Sequence, residues 1–467
     1  MQAEWDWPER YPKHDTVKRY LEFVTDRLAL RDDIQLNTRV ESAAYDAATN
    51  LWTVVASDST SYTCTYFITA LGHLSIPINP AIAGLDTFEG QILHTGWWPN
   101  ESVDFAGRRV AVIGTGSSGV QAAPRIAEEA AHLTVFQRTP NFVVPSQNYK
   151  IDADQQREIK ESYDQIWDRT RQHVFGFPMN PAGRMYDDVS DGEREKIFEE
   201  GWEKGGFYFV FETFDDMIVD PRTNEAASEF IRSKIRQIVK DPATAETLCP
   251  SGYPFVAKRP VVGNGYYEMY NRGNVTLVDA KSDPIEAVTP TGIRLASGAV
   301  HEFDVLVLAT GFDAATGALS KIDVRGLEGL ALADVWAEGP NTYLGVGIPR
   351  FPNMFMVGGP QSAYANIPVV IEEVAEFIGM AISSIEEGEH TRIEATEQAT
   401  TEWVAHANEV FNMTLLREGG DVGSWYVGAN VPGKPQRLLF YFGGASAYFA
   451  KCKEVADSGF AGFELQK

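Results

Sequence analysis

An α/β fold built around a parallel, dinucleotide-binding sheet is predicted by three observations. Val110-Ala-Val-Ile113 is a short apolar run of the kind that forms a strand buried on both faces. It leads directly into Gly114-Thr-Gly116-Ser-Ser-Gly119, and the residues from there to about Glu129 carry helical spacing. Leu133–Gln137 then supplies a second apolar strand, which completes a strand–turn–helix–strand unit.

The remaining elements follow in chain order. Residues 15–30 read as an amphipathic helix capped by Asp15, because Val17, Tyr20, Leu21, Val24 and Leu28 recur at helical intervals. Short strands are expected at Ile34–Leu36, Arg39–Tyr45, Leu51–Ala56 and Tyr62–Ala70, with Asp46-Ala-Ala-Thr-Asn50 as a hairpin loop. Between residues 151 and 247, charged and aromatic residues recur at helical spacing, as in Ile197-Phe-Glu-Glu-Gly-Trp202, and predict a helical insertion. Strand-like sequence resumes at Val275–Asp279, Gly292–Leu295, Val305–Ala309 and Asn353–Val357. Gly358-Gly-Pro360 and a helix from about Val369 come next.

Bulk properties narrow the class. A chain of 467 residues is long enough for several domains, and 44% hydrophobic content fits a globular protein. The 40 basic and 65 acidic residues leave a net charge of −25, which repels nucleic-acid backbones and anionic lipid. Cys64, Cys249 and Cys452 are scattered, giving neither a metal pattern nor a disulfide framework, as in a reducing interior. The N-terminus lacks a basic and apolar leader, and no apolar run approaches the ~20 residues of a membrane span. A soluble, cytoplasmic protein without nucleic-acid or membrane partners is therefore expected.

Each glycine of the turn has a task. Gly114 permits the sharp turn, Gly116 lets backbone approach a pyrophosphate, and Gly119 lets the helix pack on the strand. Helix N-terminal N–H groups then face the phosphates, with Ser117 and Ser118 as further donors. The second strand ends Gln137-Arg138-Thr139, where an NAD-binding protein usually places an acid for the ribose hydroxyl. Arg138 would instead pair with a 2′-phosphate, with Thr139 as a neutral donor, so NADP(H) is expected.

Ahead of this unit stands Phe88-Glu-Gly-Gln-Ile-Leu-His94-Thr-Gly-Trp97-Trp98-Pro99. This F-x-G-x-x-x-H-x-x-x-W-[WP] stretch resembles the signature of Baeyer–Villiger monooxygenases, which use FAD, NADPH and O2 to insert oxygen beside a ketone. Further segments resembling that family include Glu9-Arg-Tyr11, Phe136-Gln-Arg-Thr-Pro-Asn141, Ala257-Lys-Arg259, Leu308-Ala-Thr-Gly-Phe312 and Ser424-Trp-Tyr-Val-Gly-Ala-Asn-Val-Pro-Gly-Lys434. The resemblance implies two dinucleotide-binding, Rossmann-like domains with a helical insertion. Residues 1–70 and 311–467 would belong to the FAD domain, 71–145 and 251–310 to the NADP domain, and 146–250 to the insertion. It also implies Arg259 as the catalytic residue. A permanently charged guanidinium can stabilise an anionic oxygenating species and the oxyanion of the ketone adduct without giving up a proton. By the same resemblance Gly114, Thr115, Gly116, Ser117, Ser118, Gly119, Gln121, Arg138, Thr139 and Lys258 hold NADP(H). Val40, His73 and Ile367 lie near FAD, and Trp425 sits on a loop that closes over the nicotinamide. For His94 two readings stand together, coordination of domain movement or a hydrogen-bonded linker histidine.

The chain departs from that pattern in three places. The family's additional N-terminal G-x-G-x-x-G unit and its acid near the flavin have no counterpart in this sequence, so the FAD domain is expected to be incomplete and the chain to be N-terminally truncated. Gly263 stands where relatives often carry aspartate, and the Gly359–Pro368 loop is short. A related N- or S-oxygenating flavin monooxygenase, or a non-catalytic NADP-binding remnant, are the alternatives. The Trp98-Pro99 ending argues against the first, and the missing N-terminal unit motivates the second.

Overall fold

The computed structural model describes residues 1–467. Its central element is a five-stranded parallel sheet. The strands are β1 (Gln91–His94), β2 (Arg109–Ile113), β3 (His132–Gln137), β4 (Val275–Asp279) and β5 (Val305–Leu308), in the order β4-β3-β2-β5-β1. Helix α1 (Ser117–Glu129) crosses from β2 to β3, and Val112 pairs with Val135 on one side and Val307 on the other. Burial on both faces explains the unbroken apolar run of β2. Val110 and Val112 pack with Val120, Ala123 and Ala127 of α1, while Ala111 and Ile113 pack with Ile293, Leu295 and Phe303 of an antiparallel hairpin sheet.

Between β3 and β4 runs the helical insertion, with helices at Ala153–Glu161, Tyr163–Gln172, Asp191–Lys204, Pro221–Ile238 and Pro242–Leu248. Its starts are written locally. Asp152 with Gln155 and Ser190 with Glu193 form capping boxes, and Asp220 and Asp241 each cap a helix that begins with proline. Phe198, Phe209, Phe214 and Phe230 pack ring against ring inside it. Each buried ring contributes about 1.5–3 kcal/mol.

The rest of the chain forms a second α/β body. A four-stranded sheet orders Asp323–Arg325, Val40–Asp46, Leu51–Ala56 and Ser61–Cys64, and beside it Phe67–Thr69 pairs in parallel with Met354–Met356. Helices Ile367–Glu387, Glu397–Asn412 and Ala445–Asp457 complete it.

Several local expectations change. Ile34–Leu36 is not a strand: it is turn and irregular backbone with no partner strand, and both apolar ends are exposed. Tyr62–Ala70 divides at Thr65-Tyr66. Its first half pairs antiparallel with Leu51–Ala56, and its second half leaves that sheet to pair with Met354–Met356. The first helix spans His14–Arg27 and follows Lys13, so Asp15 lies inside it and does not cap it. Val17, Leu21 and Leu28, expected to face the core, are exposed, with Leu21 at 58%. Helical spacing announces an apolar stripe but does not say what covers it. No helix is long and apolar enough to cross a membrane.

Candidate functional site

The carboxyl end of the parallel sheet carries the glycine turn, where such sheets take ligands. Gly114 has φ +110°, and a Cβ there would lie 2.4 Å from the Ala309 carbonyl oxygen, so β5 presses on the turn. At Gly119 a Cβ would stand 2.1 Å from the Gly114 oxygen, which fixes how closely α1 packs on the turn. Gly116, between them, has nothing within 4 Å of its Cβ position. It precedes α1 as its cap without any side chain bonding the helix start. The first N–H groups of α1 therefore point into open space beside the Ser117 and Ser118 hydroxyls, an arrangement suited to phosphate.

These roles separate by mutation. Gly119→Ala is expected to destabilise the protein by about 1–3 kcal/mol, because two backbone segments must move apart. Gly116→Ala should leave the melting temperature nearly unchanged yet weaken NADP+ binding. Thermal unfolding and calorimetric titration check the pair, and equal destabilisation by both would contradict the assignment of the open space to a ligand.

Two cations flank the turn. Arg138 is exposed just beyond β3, and the half-buried Lys258 lies close enough for its charge to act on Lys258. Burial, then Arg138, lowers the Lys258 ammonium to about 8. Neither side chain has a carboxylate within salt-bridge distance, in a chain of net charge −25. Like charges held together without a counter-ion mark an anion site. Thr115 donates its hydroxyl to the Thr139 carbonyl at 3.0 Å and so ties the glycine turn to the loop carrying Arg138. The Gln121 amide donates to the Val262 carbonyl at 3.0 Å, an internal tie between α1 and the Val261–Gly263 strand. Gly263 is equally committed, since a Cβ there would meet Val120 at 3.0 Å and Val143 at 3.2 Å.

Arg259, next to Lys258, occupies the meeting point of three parts of the chain. Its carbonyl accepts a bond from Asn141 at 3.4 Å, its guanidinium lies 5.2 Å from the Phe207 ring centre of the insertion, and its charge acts on the Tyr364 phenol of the second body. Trp425 lies on the same wall, 5.1 Å from Phe440 and 5.8 Å from Tyr364, in a short turn between Gly423 and Gly428, both in left-handed conformation. That loop is clasped to the segment after β5. Asn430 donates to the Phe312 carbonyl at 2.8 Å, and Lys434 pairs with Asp313 at 2.5 Å. Behind Phe175 and Phe211, stacked 4.8 Å apart, opens a cavity of about 620 Å³, whose walls include His173, Met179, Phe214 and Met217.

His94 ends β1 and is buried. The Gly96 N–H donates to Nδ1 at 3.0 Å, which leaves the ring proton on Nε2, facing the Ile78 carbonyl at 3.2 Å and the Thr310 hydroxyl at 3.3 Å. It thus joins the fingerprint to the Ala309-Thr310-Gly311 turn. Trp97 and Trp98 beside it are exposed.

The three flavin-side residues lie on separate elements of the second body. His73 follows Phe67–Thr69 beside Gly358, at the carboxyl end of the parallel pair. Its Nδ1 is buried without a partner, and burial lowers its pKa. Ile367 starts its helix and is exposed, while Val40 opens a strand of the four-stranded sheet. A partnerless nitrogen at a strand end suits one side of a flavin. The two-stranded sheet itself carries no glycine-rich strand-to-helix turn among residues 1–467. The residues present therefore fit NADP(H) as a whole and FAD in part, through His73.

Sequence reading missed Phe207, Tyr364 and Tyr426. Tyr426 adjoins Trp425, and Tyr364 lies in the short loop already noted, so both had a positional hint; Phe207 had none.

Comparison with known proteins agrees with this geometry. A family model described as pyridine nucleotide-disulphide oxidoreductase matches residues 2–175. The chain is 45% identical to a phenazine N-monooxygenase of Lysobacter antibioticus over 99% of its own length and 84% of that protein. It is 43% identical to a Baeyer–Villiger monooxygenase of Pseudooceanicola batsensis, over 97% and 82%. Among solved structures, cyclohexanone monooxygenase from Rhodococcus sp. Phi1 bound to NADP+ superposes with a TM-score of 0.96 at 42% identity, covering 99% of this chain and 86% of that one. OTEMO in complex with FAD and NADP gives 0.95 at 38%, covering 99% and 87%.

Proposed function

Because the chain belongs to the Baeyer–Villiger monooxygenase family, we propose that it is an FAD- and NADPH-dependent enzyme that inserts one atom of O2 beside a ketone carbonyl, giving an ester or lactone. The observation that carries this reading is the adjacency of Lys258 and Arg259. One faces the anion pocket with Arg138, and the other faces an aromatic chamber. The flanking segments 71–145 and 251–310 form the NADP unit. Segments 1–70 and 311–467 form the flavin side, and 146–250 the helical insertion that roofs the chamber.

Bound FAD would supply the electron relay between nicotinamide and O2, with His73 offering its free nitrogen to it. The other steps belong to this chain. The glycine turn and α1 hold the pyrophosphate, while Arg138 and Lys258 select the 2′-phosphate. Trp425 and its clasped loop cover the site and keep water out. Phe207 leaves the Arg259 charge directed into an apolar space, where it stabilises an oxyanion on the substrate far more than it would in water. The aromatic lining suits an apolar ketone.

A second reading, oxygenation of an aromatic nitrogen, is favoured by the 45% identity to a phenazine N-monooxygenase. The two are separated by supplying FAD, NADPH and ¹⁸O2 with either a cyclic ketone or a phenazine. Ester carrying one ¹⁸O is the expected product. N-oxide alone would install the second reading, and unconsumed NADPH with both substrates would reject each of them.

A further inference from the structure

We infer that the cavity behind Phe175 and Phe211 is a second binding site for the ketone, an antechamber from which it passes to Arg259. The inference rests on the oxygenase reading of the site and deepens it.

The cavity, about 620 Å³, lies within the helical insertion and has the size of an ordinary small-molecule site. Its inner wall is apolar, built by Met179, Val210, Phe214, Met217 and Ile218. That wall is held in place. Glu212 accepts the Asn180 N–H at 3.0 Å, and Asp215 accepts the Ala182 and Gly183 N–H groups at 2.8 Å, which pins the segment carrying Met179.

One polar ring stands on the wall. His173 is 8% exposed, and its Nδ1 accepts the Phe175 N–H at 3.1 Å and the Phe177 N–H at 3.4 Å. The ring proton therefore sits on Nε2. Nε2 makes no hydrogen bond within the chain and is not sealed from open space, so its N–H gives onto the cavity that His173 lines. Burial lowers the His173 pKa, which keeps the imidazole neutral at pH 7. The mouth sets Asp168 and Asp215 against Arg169, a balance that disfavours an anion. A neutral donor between apolar walls selects an apolar molecule with an acceptor oxygen, which is the chemistry of a ketone.

Two rings part the cavity from the reaction chamber. Phe211 lies 5.9 Å from Phe207, the ring beside the Arg259 guanidinium, and Phe175 lies 6.5 Å from Tyr364. Both also line the cavity. The Phe175 carbonyl accepts the Asn366 N–H at 2.9 Å, and a Cβ at Gly176 would stand 2.8 Å from Val369, so the backbone is fixed there. Passage opens by rotation of the rings alone, without local unfolding.

The probe is cyclohexanone, titrated without NADPH into protein carrying ¹³C-methyl methionine. The Met179 and Met217 signals, assigned with Met179→Leu and Met217→Leu, should shift and saturate, while those of the exposed Met380 and Met413 stay put. His173→Asn offers an amide oxygen to the Phe175 N–H but no donor where Nε2 stands. It should weaken this binding about three- to tenfold, the loss of one hydrogen bond. Met179→Trp fills the cavity and should abolish the Met217 shift. In FAD-loaded protein both variants should lower kcat/KM for the ketone several-fold, with kcat and product per NADPH unchanged. Unmoved Met179 and Met217 signals overturn the inference, as do shifts shared by Met380 and Met413. Unaltered kcat/KM in both variants overturns it too, since the cavity would then not feed the chamber. Binding that responds to both variants, in a protein whose wild type oxygenates nothing, would sink the oxygenase reading and leave the site itself standing.

Discussion

Replacing Arg259 by alanine is expected to lower oxygenation by about 10²–10³-fold, the cost of removing a preorganised charge from a dry site. NADP+ affinity should change little, because the anion pocket is built from Arg138, Lys258 and the α1 terminus rather than from Arg259. Steady-state product analysis beside calorimetric NADP+ titration distinguishes the two effects. Arg259→Lys is the sharper variant. Burial and a neighbouring cation already draw Lys258 down to about 8, and a lysine at the next position would meet a similar environment. It would surrender its proton on the alkaline side, so residual activity should decline as pH rises, where a guanidinium shows no such loss. A lysine variant with wild-type rates at pH 9 would remove the argument for a permanent charge.

The double variant Arg138→Ala, Lys258→Met should weaken NADPH binding about 10²-fold or more while scarcely touching NADH. Each charge-assisted bond contributes about 1.5–3 kcal/mol, and the exposure of Arg138 favours the lower end. In the wild type the pH dependence has a defined sign. A 2′-phosphate gains its second charge above about pH 6, which strengthens binding. Lys258, depressed to about 8, is cationic below that pH and increasingly neutral above it. Affinity should rise to about pH 6, stay level, then fall above pH 8, because the bound phosphate must recruit the missing proton. Lys258→Met should abolish the alkaline fall and keep the acid limb. Identical alkaline limbs in the two proteins would show that Lys258 does not face the phosphate.

Much of the fold could be read directly. Val110–Ile113, Gly114 and Gly119 declare a nucleotide turn because each of the two glycines answers a constraint within a few residues of itself or beside an adjacent strand, while Gly116 between them keeps space open. The helices of the insertion announce their starts through Asp152, Ser190, Asp220 and Asp241 for the same reason. Gln121, which the family resemblance assigns to the cofactor, also ties α1 to the Val262 carbonyl, a partner its sequence position does not announce.

What the sequence determined alone was therefore whatever is encoded locally: the strand–turn–helix unit, the absence of an acid at Arg138, the fingerprint and the acidic balance. The tertiary structure decided which apolar stripes are covered, that Tyr62–Ala70 serves two sheets, that Lys434 clasps Asp313, and that Asn141 reaches the Arg259 carbonyl across 118 positions. Such pairings depend on where long segments return in space. No periodicity or spacing records that, because loop closure over a hundred residues leaves no local constraint on the side chains it brings together.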